Sequence, residues 1–185
     1  TQRPENVGGT DVEGVYYEDV YSAELDPKTK LYVDPEPLEG SLNTTKHDAC
    51  ISIAPDGRKM LVFQQRGNGD IYTSRLRDSL WRATVAIEGI NSRHRETSAT
   101  LSPDGTMMIF TSDRPGGQGG MDLWLAISNE KGEVNSIENL GPDINTPYDE
   151  EAPFWHASDK ALYFSSKGHN SIGGYDLFVA DHQSA

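Results

Sequence analysis

The chain has one cysteine, Cys50, in 185 residues, so it forms no internal disulfide and thiol pairing says nothing of its redox compartment. The flanking run Ala49-Cys50-Ile51 reads as the setting of a small buried hydrophobe rather than a nucleophile. Basic residues are scarce, with 16 Lys+Arg against 29 Asp+Glu and a formal net charge of −13. Phosphate-backbone binders carry basic stripes, so no nucleic-acid partner is expected. No apolar run approaches the roughly 18 residues of a membrane-spanning helix, and no charged-then-apolar leader opens the sequence, so any export signal is expected to have been removed or to lie outside it.

Chemical motifs are missing too. There is no Gly-x-Ser-x-Gly elbow, His-Glu-x-x-His pair or phosphate loop, and no twelve-residue loop of EF-hand oxygen ligands. The five histidines are scattered; His47 and His94 precede acids, and His156 beside Trp155 reads as packing. None stands at zinc-ligand spacing. The expectation is therefore no catalytic residue, no metal and no cofactor.

What the chain does have is an internal repeat. Asn43-x4-Asp48, Asn91-x4-Glu96 and Asn145-x4-Glu150 recur, the acids 48 and then 54 positions apart. Past each acid comes a tight-turn signal: Asp56-Gly57, Asp104-Gly105 and a degenerate Ser158-Asp159. An apolar triplet follows each, Met60-Leu61-Val62, Met108-Ile109-Phe110 and Leu162-Tyr163-Phe164. Then comes an Asp-apolar-aromatic triplet, Asp70-Ile71-Tyr72, Asp122-Leu123-Trp124 and Asp176-Leu177-Phe178. A period near 50 carrying several short strands is the pattern of a β-propeller blade. No apolar run holds a 3.6-residue period, so the fold class is all-β with almost no helix.

The middle repeat serves as template. Glu96–Leu101 is its first strand, Ser102-Pro103-Asp104-Gly105 a turn with proline and glycine where their φ preferences suit, and Thr106–Ser112 the second strand. The Gly-rich run Asp113–Gly120 can only be a loop. Asp122–Ser128 and Val134–Leu140 complete four antiparallel strands. The first repeat copies this with a shorter loop, Gln65–Gly69, and the third runs to Ala180 without a fourth strand. Asp19-Val20-Tyr21 resembles the third-strand triplet, so residues 1–46 hold the last two strands of a preceding blade, with residues 1 to about 13 a loop or frayed end. The expected units are 1–46, 47–94, 95–148 and 149–185, a partial propeller of about three and a half blades. Because propellers close with about 4–8 blades, further blades from this or another chain are expected, plausibly six to eight in all.

The runs Leu101-Ser102-Pro103-Asp104-Gly105, Ile109 through Gly117 and Gly119-Gly120-Met121-Asp122-Leu123-Trp124 resemble the WD40-like repeat of TolB-type propellers. With the linker Gly141-Pro142-Asp143-Ile144-Asn145-Thr146-Pro147, they resemble the version in bacteroidete envelope proteins, where the repeat joins helical repeats to an OmpA-type peptidoglycan-binding domain and some members serve type IX secretion. The likeness covers nearly everything after Val15. It departs at Ala157-Ser158-Asp159, and no segment resembles the OmpA-type domain. It implies a periplasmic or outer-membrane-associated, non-catalytic scaffold with protein partners in the cell envelope.

Up-and-down connectivity puts the Gly-rich loops and the Asn-x4-acid linkers on one face. Each repeat then offers one acid (Asp48, Glu96, Glu150) and one base (Arg66, Arg114, Lys167). These six read either as intra-blade ion pairs pinning loop to first strand, or as a ring of charge at the channel mouth that contacts a partner. A rival class is a carbohydrate-active enzyme or glycan-binding module using that acidic mouth; it would need two carboxylates at defined separation. Asn43, Asn91 and Asn145 are expected to bond linker backbone, and Asp70, Asp122 and Asp176 to anchor the loops before them.

Overall fold

The computed structural model describes residues 3–129, 131–156 and 160–181, and within them the chain forms fourteen strands and no helix. A hairpin of β1 (Tyr21–Leu25) and β2 (Tyr32–Pro37) comes first. The first repeat follows as β3 (Asp48–Ile53), β4 (Lys59–Gln64), β5 (Asp70–Arg77), β6 (Leu80–Trp81) and β7 (Val85–Ala86). The second is β8 (Glu96–Leu101), β9 (Met107–Ser112), β10 (Asp122–Ser128) and β11 (Val134–Asn139). The third is β12 (Glu150–His156), β13 (Ala161–Ser166) and β14 (Asp176–Asp181). Pairing between neighbours is antiparallel throughout, in simple meander order.

The sheets stack face to face, which is why each second strand carries an apolar triplet rather than an alternating pattern. Side chains of a strand alternate between its faces. Met60 and Val62 therefore pack toward Val20 and Leu42, while Leu61 between them packs into the next blade with Met108 and Phe110. One blade further, Ile109 turns the other way to meet Leu162 and Phe164. A strand buried on both faces needs every residue apolar. Among the described residues the β1–β2 hairpin shares no contact with the β12–β14 sheet, so the stack is an open arc.

Turn chemistry sits where expected in the second repeat. Asp104 accepts from the Ser102 hydroxyl at 2.6 Å and from the amide and hydroxyl of Thr106 at 3.0 and 2.9 Å. The Ser102 bond and those from Thr106 hold its carboxyl down at about 2. The degenerate turn of the third repeat, Ala157-Ser158-Asp159, lies outside the described residues.

Two local expectations are corrected. The first repeat does not copy the template's fourth strand: it is split into β6 and β7, which pair with different stretches of β5. Asp78 and Ser79 both take positive φ, 52° and 61°, the pattern of a tight hairpin turn, and this folds β6 back before the chain can run out straight. Cys50 is exposed, not buried. It lies on the innermost strand beside a bulge between Cys50 and Ser52, and an apolar run alone does not say which face of such a strand is covered. Of the two alternatives for the N-terminal segment, residues 3–16 take the loop: the Asn6 side chain donates to Tyr17 O at 2.5 Å and accepts from the Tyr21 hydroxyl at 2.6 Å.

Phe110 is fully buried between the first two blades. Phe110→Ala should lower stability by about 3–5 kcal/mol, read as an earlier urea midpoint with an unchanged slope.

Candidate functional site

The linker motif forms the junction between consecutive blades. Each linker asparagine makes a two-point bond to one main-chain residue of the preceding sheet. The Val20 amide donates to Asn43 Oδ1 at 2.7 Å and Asn43 Nδ2 donates to Val20 O at 3.1 Å. Asn91 does the same with Ile71, at 2.9 and 2.8 Å, and Asn145 with Leu123, at 2.8 and 2.9 Å. The contacted residue always follows the third-strand aspartate. In the second repeat the β10–β11 pairing ends at Trp124↔Asn139, so the asparagine side chain takes the Leu123 amide and shares the Leu123 carbonyl with the Leu140 amide at 3.1 Å. Each acid's own amide then donates to the residue before that aspartate: Asp48 to Glu18 O, Glu96 to Gly69 O and Glu150 to Met121 O, at 2.8, 3.1 and 2.7 Å.

The three acids turn inward. Asp48, Glu96 and Glu150 are buried and clasp the linker they belong to. Each accepts from the amide just after the asparagine, that of Thr44, Ser92 or Thr146, at 2.5, 3.1 and 2.9 Å. The two glutamates also take the Ser92 and Thr146 hydroxyls at 2.8 and 2.6 Å, and the second-strand hydroxyls of Ser112 and Ser166 at 2.9 and 2.7 Å. Asp48 is one methylene shorter and faces Gln64 instead of serine; its Oδ1 makes no hydrogen bond, and burial raises its pKa. A hydroxyl-bearing residue directly after each asparagine was thus a visible part of the motif that the spacing argument left out.

Of the three expected acid–base pairs, one forms. Arg114 reaches Glu96 at 3.1 Å with the acid fully buried. Its guanidinium is stacked between Phe110 and Trp124, 4.6 and 5.6 Å from the ring centroids. Lys167 bonds Asp149 rather than Glu150, at 2.7 Å, and that hydrogen bond lowers the aspartate's pKa and raises the lysine's. Arg66 is exposed and stacks on Tyr72 at 5.0 Å. The three acids therefore form no accessible ring at the channel mouth, whereas Arg66 and Lys167 on the same face are exposed.

Arg114 has a second task with counterparts in the other repeats. It donates to Ile90 O, the carbonyl just before the linker asparagine, at 2.6 Å. The same carbonyl in the third repeat, Ile144 O, is met by His169 Nε2 at 2.8 Å, with the imidazole packed against Phe164 and Phe178. In the first repeat Gln64 Nε2 reaches Leu42 O at 3.3 Å. Gln64 and His169 escaped sequence reasoning because alignment by basic character selects Arg66 and Lys167 instead.

Two of the three third-strand aspartates hold loops. Asp122 accepts from the Gln118 and Gly119 amides at 2.6 and 3.2 Å, and Asp176 from the Ile172 amide at 2.6 Å. Asp70 does not anchor its loop as expected: among the described residues it accepts only from the Tyr72 hydroxyl, at 3.4 Å, because its loop amides turn elsewhere. Burial raises the pKa of Asp70 and of Asp122. Two glycines of the long loop are sterically required: a Cβ on Gly117 would lie 1.6 Å from Asp122 Oδ2, and one on Gly119 would lie 2.1 Å from Tyr148 O. Among the described residues no cluster of His, Cys, Asp and Glu is placed to hold a metal.

This stack of meandering sheets joined by a repeated linker is a β-propeller sector of the TolB type. A TolB from Agrobacterium tumefaciens superposes with a TM-score of 0.56 at 19% identity, over 80% of this chain and 49% of that one. The crystal structure of TolB from Acinetobacter baumannii gives a TM-score of 0.59 at 17% identity, over 96% of this chain and 37% of that one. The chain thus spans about half the length of these proteins or less. No family model matches it.

Asn145→Ala leaves the buried Leu123 amide without its acceptor, while the Leu123 carbonyl keeps the Leu140 amide at 3.1 Å, and should cost about 1–3 kcal/mol, measured by chemical denaturation. His169→Gln, which keeps a donor for Ile144 O, should be milder than His169→Phe, which keeps only the ring packing.

Proposed function

We propose that the chain is a sector of a non-catalytic, protein-binding β-propeller of the bacterial cell envelope, working in the periplasm. The observation that carries this reading is the symmetry of the polar groups. Asparagine, acid and third-strand aspartate recur, and nearly all of them are spent on holding linkers and loops. Reactive groups ordinarily break a repeat's symmetry; these keep it. A carboxylate that is buried and hydrogen-bonded to its own linker cannot attack or protonate a sugar, which weighs against the glycosidase alternative. Propellers also serve widely as binding platforms, and the TolB-type fold supports an envelope setting.

The open arc is read as part of a larger ring. Leu177 and Val179 on β14 are 73% and 57% exposed, a surface that an additional strand or blade would cover. The likeness of the Gly141–Pro147 linker to those of bacteroidete envelope proteins supports a narrower setting, at the outer membrane beside type IX secretion or peptidoglycan-bound assemblies.

Cross-linking pull-down from envelope extract tests the proposal. The chain should retain discrete partners, and Arg66→Glu with Lys167→Glu, both exposed on the linker face, should reduce their recovery several-fold. Incubation with a glycan panel should give no turnover; turnover abolished by Glu96→Gln would overturn the non-catalytic reading.

A further inference from the structure

The tip of the third linker is apolar where the tips of the first two are polar. In each linker the residue two positions before the acid sits in the same turn. Its amide donates to the hydroxyl of Thr44, Ser92 or Thr146, at 3.2, 3.0 and 3.2 Å. The residues so placed are Lys46, His94 and Tyr148, preceded by Thr45, Arg93 and Pro147. Pro147 is exposed and Tyr148 is 60% exposed. A backbone that accepts Lys46 and His94 at this point does not require a tyrosine.

The loop packed against that linker departs in the same way. Gly168 leaves no room for a Cβ beside the Thr146 hydroxyl, and the Lys167 amide donates to Asp149 O at 3.0 Å, so loop and linker share one surface. The Ile172 amide donates to Asp176 Oδ2 at 2.6 Å, the bond that the Gln118 amide makes to Asp122 Oδ2 in the second repeat. Ile172 and Gln118 therefore hold equivalent positions. Gln118 is exposed although the third blade follows it, so a further blade after the third would leave Ile172 uncovered as well. Ile172 is 90% exposed.

Single apolar side chains scattered over a surface need no explanation. Pro147, Tyr148 and Ile172 are not scattered: they stand on two segments in contact, each where another repeat carries a polar residue. The loop that presents Ile172 is also tied down. Ser171 donates from its amide to Gly168 O at 2.9 Å and from its hydroxyl to Lys167 O at 2.6 Å. A loop held in this way loses little conformational entropy on docking.

We propose that Pro147, Tyr148 and Ile172 form a knob on the linker face of the third blade that seats in an apolar socket of a folded protein partner. Ile172 supplies the projecting aliphatic tip. Tyr148 belongs to the residue types that anchor protein interfaces. A lipid surface fits less well, because apolar side chains that enter membranes are accompanied by Lys and Arg. Here Tyr148 adjoins Asp149, and the one lysine beside it, Lys167, already meets that acid at 2.7 Å. This site deepens the protein-binding reading given above and rests on it.

Photo-crosslinking in the envelope-extract pull-down tests it, with benzoylphenylalanine in place of Ile172 or, as control, of Gln118. The probe at 172 should join the chain to one discrete protein, at a site lined by apolar side chains, and the probe at 118 should not. Ile172→Gln and Tyr148→His each borrow the residue that another repeat holds at that position. Each should lower recovery of the partner about tenfold and leave the urea midpoint unchanged. Equal cross-linking from both positions, or unchanged recovery in both variants, would overturn the proposal. So would cross-links from 172 to a second copy of this chain, or binding to anionic lipid vesicles that Ile172→Gln abolishes. Partners retained equally by wild type and both variants would sink the knob and leave the scaffold standing. A wild-type chain that retains no partner at all would instead sink the scaffold reading itself.

Discussion

The two-point bond from a linker asparagine to the preceding blade is the interaction on which the rest of this structure depends. A propeller chain leaves the outer strand of one sheet and must enter the next at its inner strand. In that crossing the main chain has no ladder to pair with, and unpaired buried amides and carbonyls are costly. An asparagine side chain carries one acceptor and a donor group with the spacing of a peptide unit, so it can extend the ladder of the sheet being left. Asn43, Asn91 and Asn145 each do this at the residue after the third-strand aspartate. The acid five positions on then ties the far end of the linker to the first strand of the new blade.

What recurs is the requirement and not always the residue. The carbonyl before each asparagine finds a donor from glutamine, arginine or histidine in turn. The solutions differ in cost. Arg114 brings a charge into a site where its side chain is only 13% exposed, and burying an ion pair offsets much of its own attraction through desolvation. It is held by two aromatic faces, a serine hydroxyl and a carbonyl besides Glu96, so its worth is that of a network. In the third repeat the His169 imidazole, packed against Phe164 and Phe178, meets that carbonyl instead.

The fold was legible in the sequence because its signals are local. Asp-Gly turns, apolar triplets and the strand-opening aspartates each act within a few residues, and the strands of the second and third repeats fall on or close to the predicted positions. The direction in which a polar side chain points is not local. Spacing placed Glu96 and Glu150 on the linker face but could not say that they turn in toward Ser112 and Ser166, since that depends on the second strand lying alongside. Pairing by charge likewise matched Glu150 with Lys167, whereas the lysine sits one residue off the position of Arg114 and meets Asp149. The split fourth strand of the first repeat followed from Asp78 and Ser79, a turn signal weaker than Asp-Gly and easily read as part of a longer strand.

The same accounting separates the two faces of the arc. On the linker face, charges mostly have internal partners: Arg114 has Glu96, Lys167 has Asp149, and Asp122 has its loop amides. Folding is a sufficient reason for a charge that completes an internal bond. On the turn face, Lys59 and Arg75 repel each other across a ladder where neighbouring blades carry apolar or acidic residues. Folding gives no reason for that pair, because a methionine and an isoleucine serve the same backbone one blade away. Sites where a chain departs from local consistency without internal compensation are where function is to be sought. By that criterion the facing Lys59 and Arg75, replaced one blade on by Met107 with Ile127 and then by Ala161 with Asp181, stand apart from the recurrent acids, whose bonds the fold itself requires.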